Sequence, residues 1–194
     1  DQEKILYENI IVSCFDIDAC PHFQYFCCLT YKYLTHPNPT KVSYQPLALF
    51  HNNIWDAPAI TRVVSNCTTF WLLTELVKSE RLITFSSHSM SFKALVDVGF
   101  WQRDIISEDS RIYLQAMAHY QGNYSIVPMY IPISMDAVLG KTFWRSMINI
   151  YKQQRRWAYG MENFPFMVWY FKRNQVPFLK RVRFYYNQLE GGFF

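Results

Sequence analysis

The amino-acid sequence predicts a domain of the α/β class. Short apolar segments of strand length alternate along the chain with longer segments whose apolar residues recur at helical spacing. Hydrophobic residues make up 51% of the 194 residues, which is enough to bury one core of ordinary size. The sequence contains no internal repeat and no low-complexity segment. These observations favour one folded unit.

The predicted strands are apolar runs bounded by polar residues or proline. They cover residues 9–15, 42–50, 82–85 and 124–131. Because proline lacks the N–H that a strand interior needs, Pro46 indicates that the second strand lies at an edge or is irregular. Pro132 is expected to bound the last strand.

The predicted helices begin and end at residues suited to those positions. Pro21 fits a first turn, Ser107 fits an N-cap, and Gly99 and Gly122 fit helix ends. A polar loop is predicted over residues 86–91. The predicted helices cover residues 21–34, 58–80, 92–99, 107–120, 141–160 and 165–190, the last with a break near Pro177.

The distribution of charge divides the chain in two. Residues 1–140 contain nine Lys/Arg and thirteen Asp/Glu, whereas residues 141–194 contain ten and two, so a net charge of −4 is followed by one of +8. We therefore predict a core over residues 1–164 and a basic, amphipathic segment over residues 165–194 that lies on an anionic membrane surface. The alternative is an ordinary helix packed on the core. The acidic first part speaks against a nucleic-acid-binding protein.

The cysteines and the chain ends bear on the cellular setting. The five Cys have no zinc-binding spacing, and a reduced, cytosolic compartment explains them most simply. No stretch reaches the about 18 apolar residues that can span a bilayer, and no signal peptide opens the chain. Both ends have the composition of internal positions, so we expect the chain to be part of a longer protein.

Two aspartates follow the first predicted strand. Asp16 and Asp18 stand at its carboxyl end, where open α/β sheets bind their ligands. Carboxylates one residue apart can hold one Mg²⁺ that also bridges substrate phosphates. The alternative is a helix N-cap with a solvated neighbour, because a helix is predicted to begin at Pro21.

Two further motifs lie on predicted helices. Glu108 and Asp109 open one helix, where a carboxylate can act as a general base or simply interact with the helix dipole. On a late helix, arginine can clamp a diphosphate and tryptophan can stack on a sugar ring. The alternative for this second motif is a basic helix face with a buried tryptophan. Its residues are Gln153, Arg156 and Trp157.

The order of these motifs resembles the family two glycosyltransferases, in particular their cellulose-synthase-like and hyaluronan-synthase-like processive branch. Asp-x-Asp is followed after about ninety residues by Glu-Asp and after about forty-five more by Gln-x-x-Arg-Trp, the most specific of the three. The resemblance covers most of residues 9–165. Ser107 stands where this branch often has threonine.

The resemblance implies a GT-A-type, Rossmann-like mixed sheet flanked by helices. It implies an inverting glycosyltransferase that moves a sugar from a nucleotide diphosphate donor to a glycan or lipid acceptor. Asp16 and Asp18 would hold Mg²⁺ or Mn²⁺, and Asp109, with Glu108 beside it, would be the general base. The donor diphosphate and the acceptor would be bound by Gln153, Arg156 and Trp157.

The resemblance also bears on the polar loop and on what lies beyond the chain. The corresponding loop of the family approaches the donor sugar or the acceptor, which makes His88 and Ser89 candidate contacts. The family's nucleotide-binding strands would precede residue 1, and its transmembrane helices would place the parent protein at the cytoplasmic face of the cell membrane. We therefore expect residues 1–194 alone to bind donor poorly or to be inactive. The alternative to an enzyme is a non-catalytic module that binds a nucleotide-sugar or glycan.

Overall fold

The computed structural model describes residues 5–193, and for residues 191–193 it describes the backbone only. Residues 1–4 and 194, which belong to the predicted core and basic segment, lie outside the described residues. Among the described residues the strands are β1 (Ile11–Ser13), β2 (Cys20–Pro21), β3 (Val42–Phe50), β4 (Ser89–Ser91) and β5 (Ser125–Met135). They form one sheet in the order β1-β4-β3-β5-β2. Only β3 and β5 pair in parallel, so the sheet is mixed and the predicted α/β class is confirmed.

The helices follow the predicted pattern closely. They are α1 (Tyr25–Thr35), α2 (Ala59–Val77), α3 (Phe92–Asp97), α4 (Glu108–His119), α5 (Phe143–Ala158), α6 (Asn163–Arg173) and α7 (Phe178–Phe193). The break predicted near Pro177 separates α6 from α7. Gly99 and Gly122, predicted at helix ends, have φ angles of +81° and +84°, a region that other residues seldom adopt.

Pro46 and Pro132 lie inside strands, where the sequence favoured an edge or an end. β3 is the central strand, but β4 pairs only with Ser43 and Tyr44, so Pro46 leaves no donor missing on that side. The register with β5 also shifts between Pro46 and Leu47. The predicted irregularity is confirmed, and the edge position is wrong. β5 likewise continues past Pro132 to Met135, because the shift accommodates the proline.

Two predicted elements are wrong. Residues 82–85 form no strand, and the neighbouring strand is β4, inside the segment predicted to be a polar loop. Serines satisfy a buried strand here because hydroxyl partners are available, as described below. Pro21 does not begin a helix: it pairs with Ile133 in β2, and α1 starts at Tyr25.

The hydrophobic core has two clusters of buried side chains. One joins α1 to β3 and β5 through Tyr25, Tyr44 and Met129. The other joins α3 and α4 to the two C-terminal helices, with buried residues that include Ile112, Met117, Met167, Phe171 and Phe184. Burying such side chains contributes roughly 1.5–3 kcal/mol each. The C-terminal helices thus pack on the core through one face, and contact of their exposed face with a membrane stays a prediction.

Among residues 5–193, no helix combines the length and the apolar character needed to cross a membrane.

Candidate functional site

Three strands end at one edge of the sheet, and Asp16 and Asp18 follow the first of them. β1 and β3 are both antiparallel to β4, and β3 is parallel to β5, so all three run in the same direction. The loops that follow them therefore emerge together. Asp18 lies between them: its carboxylate Oδ2 accepts the Asp136 N–H at 3.1 Å, and its carbonyl accepts Asn52 Nδ2 at 3.3 Å.

An open cleft of about 620 Å³ lies beside Asp18. Asn53 helps to build it by exchanging two hydrogen bonds with the backbone of Ala137, at 2.7 and 3.0 Å. Gln153 of α5 also lines the cleft, so residues from two of the three predicted motifs share it. The remaining lining residues supply a carboxylate, an amine and backbone groups, and they are Asp136 to Lys141.

Asp16 lies in a second, adjoining group of side chains. Its carboxylate accepts a hydrogen bond from the Ser86 hydroxyl, and its N–H donates to Ser87 Oγ at 3.5 Å. Loss of hydration, together with the carboxylates of Asp16, Glu108 and Asp109, raises the pKa of the neighbouring Cys14 thiol. We call Cys14, Asp16, Glu108 and Asp109 the acidic cluster.

Asp109 is the most perturbed carboxyl of the acidic cluster. Loss of hydration is the main reason that its pKa rises to about 6, and the charges of Glu108 and Asp16 raise the pKa further. A hydrogen bond from the Ser110 N–H, at 2.7 Å, acts in the opposite direction. A carboxylate that served only the helix dipole would have a lowered pKa. The environment of Asp109 therefore favours the alternative of a proton acceptor.

The aspartates at the sheet edge are also distinct from a helix cap. α1 begins seven residues beyond Asp18, at Tyr25, and its N-cap position is Gln24. The N-cap interpretation of Asp16 and Asp18 is thus ruled out by the position of the helix. Their side chains have separate polar partners, Ser86 for Asp16 and the Asp136 N–H for Asp18.

The late motif lies on α5, next to both groups. Arg156 is exposed and lines a hollow of about 220 Å³ with Ile106, the residue before Ser107. Trp157 is 41% exposed, and its ring centroid lies 6.5 Å from that of Phe50, the last residue of β3. An exposed indole at this position does not fit the alternative of a buried tryptophan, and its free face is available for stacking.

His88 and Ser89, the candidate substrate contacts, do not reach the cleft. Both are almost fully buried, at 1% and 0% exposure. Ser89 lies in β4, where its Oγ is hydrogen-bonded to the hydroxyls of Ser13 at 2.7 Å and Tyr25 at 2.8 Å. Burial lowers the pKa of His88 to about 4. Ser89 can occupy a strand interior, where the sequence predicted a polar loop, because its hydroxyl is paired with two other hydroxyls.

The donor set near Asp16 and Asp18 fits a divalent ion that is bound jointly with phosphate. Within the described part of the chain, no three His, Cys, Asp or Glu residues are grouped as a complete metal site. Mg²⁺ is commonly bound by one or two carboxylates plus substrate phosphates and water. Asp18, which lines the open cleft, would supply one such carboxylate, and Asp16, which is hydrogen-bonded to Ser86 in the adjoining group, would supply the second. The two carboxylates would not hold an ion tightly by themselves.

Several residues at the site lie outside the three sequence motifs. Cys14 enters the acidic cluster because it lies two residues before Asp16, just past β1. Lys141 and Asp136 line the cleft because they lie in the loop after β5. Their positions follow from the parallel pairing of β3 and β5, and the position of each just after a strand was the signal that could have found Asp136 and Asn53.

Comparison with protein-family models and with curated protein sequences finds no match for this chain.

Proposed function

We propose that this chain is the catalytic core of an inverting glycosyltransferase with a GT-A-type fold, which transfers a sugar from a nucleotide diphosphate donor to a glycan or lipid acceptor. The observation that carries the proposal is that Asp18 and Gln153, which come from two different motifs, line one cleft. The raised pKa of Asp109, to which the charge of Asp16 contributes, supports it. The order of the three sequence motifs is consistent with it.

Asp109 is the proposed general base. In the transfer, the acceptor hydroxyl oxygen forms a bond to the anomeric carbon while the bond from that carbon to the diphosphate oxygen breaks. The hydroxyl proton passes to the Asp109 carboxylate. A carboxylate with a pKa of about 6 is ionised at neutral pH and is a stronger base than an ordinary aspartate. Attack from the face opposite the leaving diphosphate gives inversion.

Asp16 and Asp18 are the proposed holders of Mg²⁺ or Mn²⁺ on the donor diphosphate. Such an ion, when bound, would neutralise charge that develops on the departing diphosphate. Arg156 is exposed at the rim of the adjoining hollow, where its guanidinium can add paired hydrogen bonds to a phosphate. Gln153 in the cleft and the free face of Trp157 suit hydroxyl groups and a sugar ring, respectively.

Membrane association of the parent protein at its cytoplasmic face is part of the same proposal. The exposed side of the C-terminal helices combines apolar and basic residues, as interfacial helices do. Trp169 is 65% exposed, Leu179 is 80% exposed, and Lys172 and Arg173 lie exposed between them along the chain. These side chains suit anionic head groups and the apolar layer beneath.

The test is a transfer assay with Mn²⁺ and a panel of nucleoside diphosphate sugars, in the full-length parent protein. We expect transfer from at least one donor and its loss in Asp109→Asn. Glu80→Gln, which neutralises an exposed carboxylate outside the acidic cluster, is the control and should leave the rate unchanged. Full transfer by Asp109→Asn would contradict the assigned base. Donor binding without turnover would instead support the non-catalytic binding module.

A further inference from the structure

The N-terminus of α4 is capped from a distant part of the chain. Ser107 occupies the N-cap position, but its side chain accepts no hydrogen bond from α4. Its N–H and its hydroxyl both donate to Glu162 Oε1, at 3.2 and 2.6 Å. Glu162, 55 residues further along the chain, therefore fixes the first residue of the segment that carries Glu108 and Asp109.

Arg111 fixes the next turn of α4 to the same distant segment. It is only 7% exposed, and its Nε donates to Asn163 Oδ1 at 2.6 Å. Its remaining nitrogens donate to the Glu162 carbonyl at 3.2 Å and to Gln102 Oε1 at 3.0 Å. The guanidinium carbon also lies 4.3 Å from the centre of the Phe166 ring. A buried cation with this many partners holds two helices in one arrangement.

The hydrogen bonds continue from Asn163 to the candidate base. Asn163 Nδ2 donates to Ser110 Oγ at 2.9 Å, and Ser110 Oγ donates to the Ser107 carbonyl at 3.0 Å. The Ser110 N–H then donates to Asp109 Oδ1 at 2.7 Å. Ser110 thus links the start of α6 to the Asp109 carboxylate, accepting from Asn163 through its hydroxyl and donating to Asp109 through its N–H.

The hydrogen bonds from Glu162 and Asn163 start close in sequence to the late motif. α5 carries Gln153, Arg156 and Trp157, and it leads directly into the 3₁₀ helix Tyr159–Glu162 that ends at Glu162. The proposed reaction requires that α5, which would bind the diphosphate and the acceptor, is held in a fixed position relative to the base. Small displacements of a catalytic group slow reactions strongly.

We propose that Glu162 and Asn163 are positioning residues that hold the Asp109 carboxylate in register with the late motif on α5. The inference rests on the proposed function for its catalytic meaning, and on the hydrogen bonds above for its geometry. Glu162 acts through its acceptor oxygen, since both donors of Ser107 meet the same atom. A glutamine there keeps an acceptor oxygen, whereas an alanine removes it.

The test combines transfer kinetics in the parent protein with amide hydrogen exchange over residues 105–112. For Glu162→Ala we expect kcat to fall roughly 10- to 100-fold with KM nearly unchanged, and exchange in that segment to accelerate. Glu162→Gln should restore both. The matched control is Glu190→Ala, which removes a carboxylate that is paired with Arg81 and not with Ser107, and it should alter neither.

The two hypotheses fail in distinguishable ways. A wild-type parent that transfers no sugar with any donor overturns the proposed function, while the exchange measurement still decides the structural coupling. Unchanged kcat and exchange in Glu162→Ala overturn the positioning role, even if transfer is robust. A Glu162→Gln protein as impaired as Glu162→Ala also overturns it, because the acceptor oxygen would then not be what matters.

Discussion

The two sides of the α4 N-terminus contrast in how well their charges are satisfied. On one side, the acidic cluster brings Asp109 close to the like charges of Glu108 and Asp16, and its pKa rises. On the other side, Arg111 is buried and its guanidinium has hydrogen-bond acceptors in Asn163, Gln102 and the Glu162 carbonyl, with the Phe166 ring beside it. Loss of hydration disfavours the charge of both residues, lowering the pKa of Arg111 and raising that of Asp109, but only Asp109 also has like charges as neighbours.

This difference indicates that, within one turn of helix, Asp109 serves function and Arg111 serves stability. Like charges that are partly dehydrated destabilise the folded state and are retained at functional sites, where a perturbed carboxyl is useful. The hydrogen bonds of Arg111 supply the stability that keeps Asp109 close to its like charges. Substitution of Arg111 should therefore lower the free energy of unfolding, and substitution of Asp109 should raise it.

The largest expected effect is on transfer, after Asp109→Asn. Loss of a general base typically costs about 10²- to 10⁴-fold in rate. In the wild-type protein, the rate should rise with pH through about 6 as Asp109 ionises, and the variant should lack this rise. The pH dependence of kcat in the parent protein measures both. If the variant had the same pH dependence of kcat as the wild-type protein, the raised pKa of Asp109 would have no role in the reaction.

Next in size is the loss of stability expected from Arg111→Ala. The substitution leaves the Asn163 and Gln102 acceptors unpaired and opens space beside Phe166. We expect the free energy of unfolding to fall by about 3 kcal/mol, from the cost of unsatisfied buried groups and of lost packing. Urea denaturation checks it. Arg103→Ala, at an exposed arginine in the preceding loop, is the control and should change stability little.

Asp109→Asn should change stability in the opposite direction. At pH 7.5, ionised Asp109 destabilises the folded state because its folded pKa of about 6 exceeds the ordinary aspartate value. The asparagine protein should thus be more stable at that pH, by up to about 3 kcal/mol. The gain should shrink as pH falls from about 6 to 4, where both folded and unfolded aspartates bind the proton. An unchanged or lower stability of the variant at pH 7.5 would contradict the conclusion that ionised Asp109 destabilises the folded state.

The smallest effects are shifts in pKa after neutralising one neighbour. Among the carboxylates, Asp16 raises the pKa of Cys14 more than Glu108 does. For the pKa of Asp109 the order is reversed, and Glu108 has the larger effect. Asp16→Asn should therefore lower the pKa of Cys14 more than Glu108→Gln does, and the reverse should hold for Asp109. Alkylation of the exposed Cys14 thiol against pH, and carboxyl NMR of Asp109, measure these. Equal, absent or inverted shifts would show that the cluster is not arranged as described.

Local patterns in the sequence identified the elements that carry the site. The bounds of β3 and the starts of α2 and α4 follow from apolar spacing, proline and N-cap chemistry, and the class of the fold follows from their alternation. Asp16, Asp18 and Asp109 were predicted as site residues because each motif stands at the end of an element, and their roles stay predictions. These features depend on neighbours along the chain, which sequence patterns report well.

Features that depend on distant pairing could not be predicted from such patterns. β4 is built of serines whose partners, Ser13 and Tyr25, lie more than sixty residues away, so its sequence favoured a loop. His88 and Ser89 were consequently assigned to a substrate contact rather than to the interior. The same limit applies to Glu162, since nothing near it in the sequence indicates that it caps α4.

The most direct test of the shared site uses paramagnetic Mn²⁺ together with a nucleoside diphosphate and side-chain carboxyl NMR. Mn²⁺ should broaden the carboxyl signals of Asp16, Asp18 and Asp109 and leave those of Glu75 and Glu190, which pair with Arg81, sharp. The Asp16→Asn/Asp18→Asn protein should lose the effect on Asp109. Uniform broadening, or broadening that spares Asp109, would show that these carboxylates do not share one site.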